Sequence, residues 1–245
     1  MTFKPLNEND VVSTRTLLHE AIPLTGSIVS GTYIEGNNAV NVKNFTHGMF
    51  QSVYDYPFLS SSANHIFDIT IGISTESDLY AGTTSQKTKK KNIYNQMAQV
   101  LMGYDATGSI LRFDEDGNLL AGGTKLDNVF FLNFSRLLAK DEIKKGTFEL
   151  ELGVKEAHDF AGALFRDRIK ITDFSGSSGF FTNSPAGEYG VLFASASAAA
   201  STAAQLTTLA KGDTDTVGQP AVGLLFYQAG IAVISGSVFN DAGLG

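Results

Sequence analysis

Asp114, Asp116 and Asn118 stand at alternate positions in "RFDEDGNLLAGG", the spacing at which an EF-hand loop presents its first oxygens to calcium. The match breaks down further along the run. Gly117 falls at the fourth position and Lys125 at the twelfth, where the loop needs glycine at the sixth and a bidentate Glu at the twelfth. An Asp-Gly turn joining "SILRF" to "NLLAG" is the preferred reading, with a calcium site as its alternative. Asp114 with Asp116, and Glu149 with Glu151, form carboxylate pairs two residues apart. Both pairs are expected on exposed faces, without the burial that would split their proton affinities for acid–base work. His19, His47, His65 and His158 show no ligand spacing. Neither a Gly-x-Ser-x-Gly elbow nor a Gly-x-x-x-x-Gly-Lys loop occurs. The expectation is therefore no catalytic residue, no cofactor and no metal site.

Two further clusters have binding rather than catalytic character. Tyr54, Tyr56 and Phe58, with Phe50 before them, would stack on sugar rings in a receptor-binding protein. Packing in a core or an interface is the simpler role for such rings. "KTKKK", Lys87 to Lys91, suits an anionic partner, a solvated surface or a charge contact between subunits.

The elements that must position these residues read mostly as strands. Phe67, Ile69, Ile71 and Ile73 alternate with Asp68, Thr70, Gly72 and Ser74, the period of a half-buried strand. Phe148, Leu150 and Leu152 alternate with Glu149 and Glu151, and Ile169 and Ile171 repeat the pattern. Gly36-Asn37-Asn38 predicts a hairpin over 27–45. Ile93, Tyr94, Met97, Leu101 and Tyr104 recur at helical spacing, with Gly103 as a stop, and predict a helix over 89–102. "FSRLLAKDEIKKG" reads either as a second short helix or as a turn.

The most apolar stretch, "VGLLFYQAGIAVISGSVF" from Val222 to Phe239, is too polar and too short for a membrane span. Its β-branched and aromatic residues on both sides of "QAG" predict two buried strands joined by a tight turn in which Gly230 takes a positive φ. "YGVLFAS" at 189–195 echoes its first half. Between the two, 194–219 is a bland Ala/Ser/Thr insertion.

Composition agrees. Eighteen Phe and eight Tyr with no Trp, many Gly and few charges favour a β-rich chain. A net charge of −7 argues against nucleic acid as the main partner, and the polar opening stretch predicts no export signal. With no cysteine, stability must come from packing and hydrogen bonds. The organisation expected is an extended N-terminal arm over 1–26, then a single antiparallel β-sandwich or barrel-like domain over 27–245 with one or two short helices.

"SPAGEYGVLFAS" and "VGLLFYQAGIAVISGSVF", accompanied by "KDEIKKGTFELELG", resemble the closing stretches of β-rich virion proteins of tailed bacteriophages. The resemblance covers the C-terminal half and transfers no catalytic or binding residue. It implies a structural component of neck, tail, baseplate or capsid exterior, located in the virion and partnered by copies of itself and by other virion proteins. A polar arm, abundant Gly and Ser and the absence of site chemistry suit an assembly subunit on independent grounds.

Overall fold

The structure is a computed structural model that describes residues 34–36, 38–81, 84–118, 122–135, 138, 142–154, 167–196 and 219–239. The expected arm, His19, His158 and the Ala/Ser stretch over 197–218 lie outside these residues. The described strands are β1 (Ile34–Glu35), β2 (Asn38–Ala39), β3 (Val42–Asn44), β4 (Gln51–Tyr54), β5 (His65–Ile73), β6 (Asn128–Asn133), β7 (Glu149–Val154), β8 (Asp167–Thr172), β9 (Phe181–Ser184), β10 (Gly187–Ala196), β11 (Ala221–Phe226) and β12 (Ile231–Ser235). One α-helix, α1 (Ser85–Leu101), lies among them.

The chain is mainly β. β1 and β2 form a small ribbon, and the other ten strands form one antiparallel sheet in the order β3-β4-β5-β6-β12-β11-β10-β8-β7, with β9 also paired to β10. The expected antiparallel β-rich class holds, whereas the sandwich or barrel form is not seen: among the described residues the ladder runs unbroken from β3 to β7 without closing on itself. Both faces of its centre are buried instead by non-strand segments. One face packs Val129, Phe131, Val191, Leu224, Phe226 and Val233 against α1 and Phe113. The other packs Ile169, Ile171, Leu192, Leu225, Ala232 and Ile234 against Phe134, Ile143, Phe148 and Val238 from connecting segments. A central strand covered on both sides reads as a continuous apolar run, which is why "AVGLLF" is buried at every position.

The two echoing segments are neighbours in space. Tyr189 pairs with Phe226, Gly190 with Leu225 and Val191 with Leu224, so the repeated motif makes adjacent central strands. The turn after β11 runs as expected, with Gly230 at φ 64 and its N–H on the Phe226 carbonyl at 2.9 Å. At 36, a positive φ likewise turns β1 into β2, with Ile34 opposite Ala39.

Helix α1 starts four residues before the expected boundary, because Thr84 caps it by accepting the Lys87 N–H at 3.4 Å. Gly103, at φ 82, stops it by donating to the Ala98 carbonyl. Tyr104 therefore falls outside the helix and is exposed, bridging to Ile110. The helix lies close on the sheet because β5 carries Gly72 beneath it. A Cβ there would come within 2.5 Å of the Phe131 ring and 3.1 Å of Tyr94 Cβ. The Tyr94 hydroxyl then ties helix to loop, donating to the Leu126 carbonyl at 2.8 Å and accepting the Phe113 N–H at 3.4 Å. Where a second helix was one alternative, residues 136, 137 and 139–141 lie outside the described ones; Ser135 is in 3-10 conformation with its carbonyl accepting the Leu138 N–H, and Lys144–Thr147 is a turn.

Candidate functional site

At the β3–β4 end of the sheet the described surface carries a groove with exposed apolar side chains. β4 pairs with β5 only as far as Gln51 opposite Ile69, while β5 runs on to Ile73 against β6. From Thr70 onward, no described strand lies along the outer edge of β5. The chain between β3 and β4 turns at Gly48, whose N–H meets the Phe45 carbonyl at 2.9 Å, and touches β5 where the Met49 carbonyl accepts from the Thr70 hydroxyl. It leaves a groove of about 250 Å³ between itself, the β5 edge and α1.

The groove is apolar at its base and cationic at its rim. Ile69, Ile71 and Phe130 line it from the sheet, and Met49 and Phe50 line it from the turn. Met49, Phe50 and Ile71 are 44%, 37% and 39% exposed. Lys90 reaches over from α1 toward the Gly48 and Met49 carbonyls, at 3.5 and 3.4 Å. Partial burial, reinforced by neighbouring Lys89, holds its ammonium below the usual lysine range. Beside the groove Phe45 stacks on His47 with ring centres 5.2 Å apart, Phe50 leans on both, and the Lys43 ammonium sits 5.2 Å above the Phe45 ring. Among the described residues no carboxylate lines the groove. The lysine run of the sequence is thus divided among tasks: Lys87 reaches the Ala81 carbonyl, Lys91 covers Tyr80, and Lys90 faces the groove.

The sequence-proposed glycan cluster lies on the same strands. Tyr54 packs edge-on to His65 and 6.0 Å from Phe58. Tyr56 is 49% exposed. His65 in turn meets Asp68 at 2.7 Å, and Asp68 accepts from Ser52, so this histidine is held by a structural network.

The proposed calcium loop is a turn, with Gly117 at φ 75 and its N–H on the Asp114 carbonyl. One expectation fails there. Asp114 is buried, and an ion pair with Lys125 meets its charge. Burial raises its pKa, with Asp116 opposing ionisation further. Periodicity could not reveal this, because the turn is folded back against Tyr189, whose hydroxyl donates to the Gly117 carbonyl at 2.8 Å. That hydroxyl is itself pushed up to about 12 by burial. Among the described residues no three His, Asp or Glu side chains are grouped to hold a metal ion. Glu149 and Glu151 are exposed as expected, with Glu149 paired to Lys170 at 2.8 Å.

Sequence reading missed Asp173 altogether. It is fully buried, and its carboxylate accepts the Gly146 and Phe148 N–H groups at 2.7 and 2.8 Å. Burial raises its pKa despite those bonds. Above it Lys145 pairs with Glu188 at 2.5 Å and lies over the Tyr227 and Phe180 rings. Every charge here is spent on holding the turn at Gly146 to the sheet, which makes it a staple. No helix among the described residues is long and apolar enough to cross a membrane. No known protein family, no curated protein and no solved structure matches this chain.

Proposed function

We propose that this chain is a non-enzymatic structural subunit of a tailed-phage virion, working through self-association and contact with neighbouring virion proteins. The observation that carries the reading is the groove beside the open edge of β5, where Met49, Phe50 and Ile71 leave apolar surface uncovered. A subunit that completes its surface against neighbours can leave such an edge open, whereas a solitary protein risks aggregation through it. The resemblance of the β10–β11–β12 segments to phage structural chains supplies the virion context, and those segments form the rigid centre of the sheet. The chemistry present agrees: the buried carboxylates Asp114 and Asp173 are tied into an ion pair and a backbone staple. Mass spectrometry of purified phage particles from the source of this sequence tests the proposal. Stoichiometric peptides of this chain are expected in the intact particle. Their confinement to the soluble lysate would overturn it.

A second reading, a receptor- or glycan-binding tail component, is favoured by one observation. In the sequence Tyr56, 49% exposed, lies between Tyr54 and Phe58, whose rings pack 6.0 Å apart, and an exposed tyrosine face suits contact with a sugar ring. A glycan array should then give a signal that Tyr56→Ala removes; no signal, or one indifferent to that change, rules it out.

A further inference from the structure

The groove at the end of β4 combines three features that together specify an occupant. The β5 edge beyond Ile69 is a strand edge with no described strand beside it, so an extended segment can add to it through main-chain hydrogen bonds. Ile69, Ile71, Phe130, Met49 and Phe50 line the groove among the polar Asn44, Gln51 and Thr70, and Ile71 and Phe50 are exposed, so apolar side chains of the segment find cover there. Lys90 lines the groove, Lys43 lies over the lining Phe45 ring, and no carboxylate is among the described lining residues, so the segment must also carry acids. Such a lining is unusual in a chain of net charge −7. A nucleic-acid strand would meet the cations but leave the aliphatic base and the strand edge unused. It would also need aromatic faces open for stacking, whereas Phe45 and His47 stack on each other and Phe50 leans on both.

One segment of this chain has the required character. Residues 1–26 interleave Val11, Val12, Leu17 and Leu18 with Glu8, Asp10 and Glu20 against two bases, Lys4 and Arg15. They precede Ile34, the first described residue, and 33 residues at ~3.3 Å each can span up to ~110 Å, enough to reach a neighbouring molecule. We propose that the N-terminal segment of one copy adds as a strand to the β5 edge of the next, its apolar side chains in the groove and its carboxylates against Lys90 and Lys43. The inference rests on the self-association reading above and names the contact that performs it. Each copy then gives one segment and receives one, a head-to-tail interface that closes into a ring or extends into a tube.

The chain contains no cysteine, so Met49→Cys, at an exposed position, creates a single thiol for a benzophenone photo-cross-linker on the full-length protein. Isotopically heavy and light copies are mixed, irradiated and digested, and light scattering on the same sample reports its molar mass. Cross-links from position 49 to peptides within 1–26, joining heavy to light, are expected, and a second substitution, Lys90→Glu, should lower their yield at least tenfold. Cross-links confined to one copy, directed to another segment or carrying a nucleic-acid adduct would overturn the inference. If the molar mass is that of an assembly while the cross-links fall elsewhere, the inference fails and the self-association reading stands. A monomeric molar mass removes both.

Discussion

Asp173 shows how much of this fold depends on single buried polar groups. Two backbone N–H groups of the Lys144–Phe148 segment have this carboxylate as their acceptor, and a buried donor left unpaired costs about 1–3 kcal/mol. Asp173→Ala should therefore lower unfolding stability by about 3 kcal/mol, read by urea denaturation at neutral pH. The sign of its pH effect follows from burial, which raises its pKa above 3.8. The folded state holds this proton more tightly than the unfolded chain, so the contribution is complete below 3.8 and is lost as pH rises through the folded-state value. Denaturation midpoints across the acid range should carry that falling slope, and Asp173→Asn should flatten it, leaving the share that Asp114 carries. Gly230 is a second point of dependence. A β-branched residue at φ 64 is strained, and a Cβ there would meet Leu138 Cδ1 at 2.8 Å. Gly230→Val should cost about 2–4 kcal/mol and reduce folding yield. The Gly230 turn was legible in "QAG" because turn chemistry is local. The burial of Asp114 and Asp173 was not, because the partners that compensate them come from residues 11 and more than 20 positions away.

At the level of elements, strand alternation proved a sound guide to β7 and β8, whereas at β5 Ile71 of the expected inner set is 39% exposed, and Gly72 and the following Ser74 of the other set are buried. Phe148, Leu150 and Leu152 do share a face, and Ile169 and Ile171 are fully buried beside them. Helix α1 was legible as well, since Ile93, Tyr94, Met97 and Leu101 pack on the sheet as the 3.6-residue period requires. Its start was not, because an isolated Thr cap in a lysine-rich polar stretch leaves no change of period to detect. The groove was invisible for a related reason. It is formed by a strand that stops early, a turn and one helical lysine, parts that are adjacent only after folding. How the helix is held to the sheet can be tested separately from the groove. Tyr94→Phe removes the hydroxyl that serves the Leu126 carbonyl and the Phe113 N–H. It should cost about 1–2 kcal/mol in thermal or chemical unfolding while leaving association unchanged.

At the scale of the whole molecule, one open sheet carries two cores, with β10, β11 and β12 at its centre and the open β5 edge toward its β3 end. The mainly β class followed from composition and period. The choice of one open sheet over a sandwich or barrel depended on which strands pair, which alternation does not encode; the echo between β10 and β11 was the one hint of adjacency. A rigid centre with an open edge is the architecture expected of a subunit that completes itself through neighbours. Completion through neighbours can be read by light scattering of the purified full-length chain across a hundredfold concentration range, beside Phe50→Glu at the groove wall. A discrete multimer is expected for the natural chain and a folded monomer for Phe50→Glu. A natural chain that stays monomeric throughout, with the same molar mass as Phe50→Glu, would contradict it.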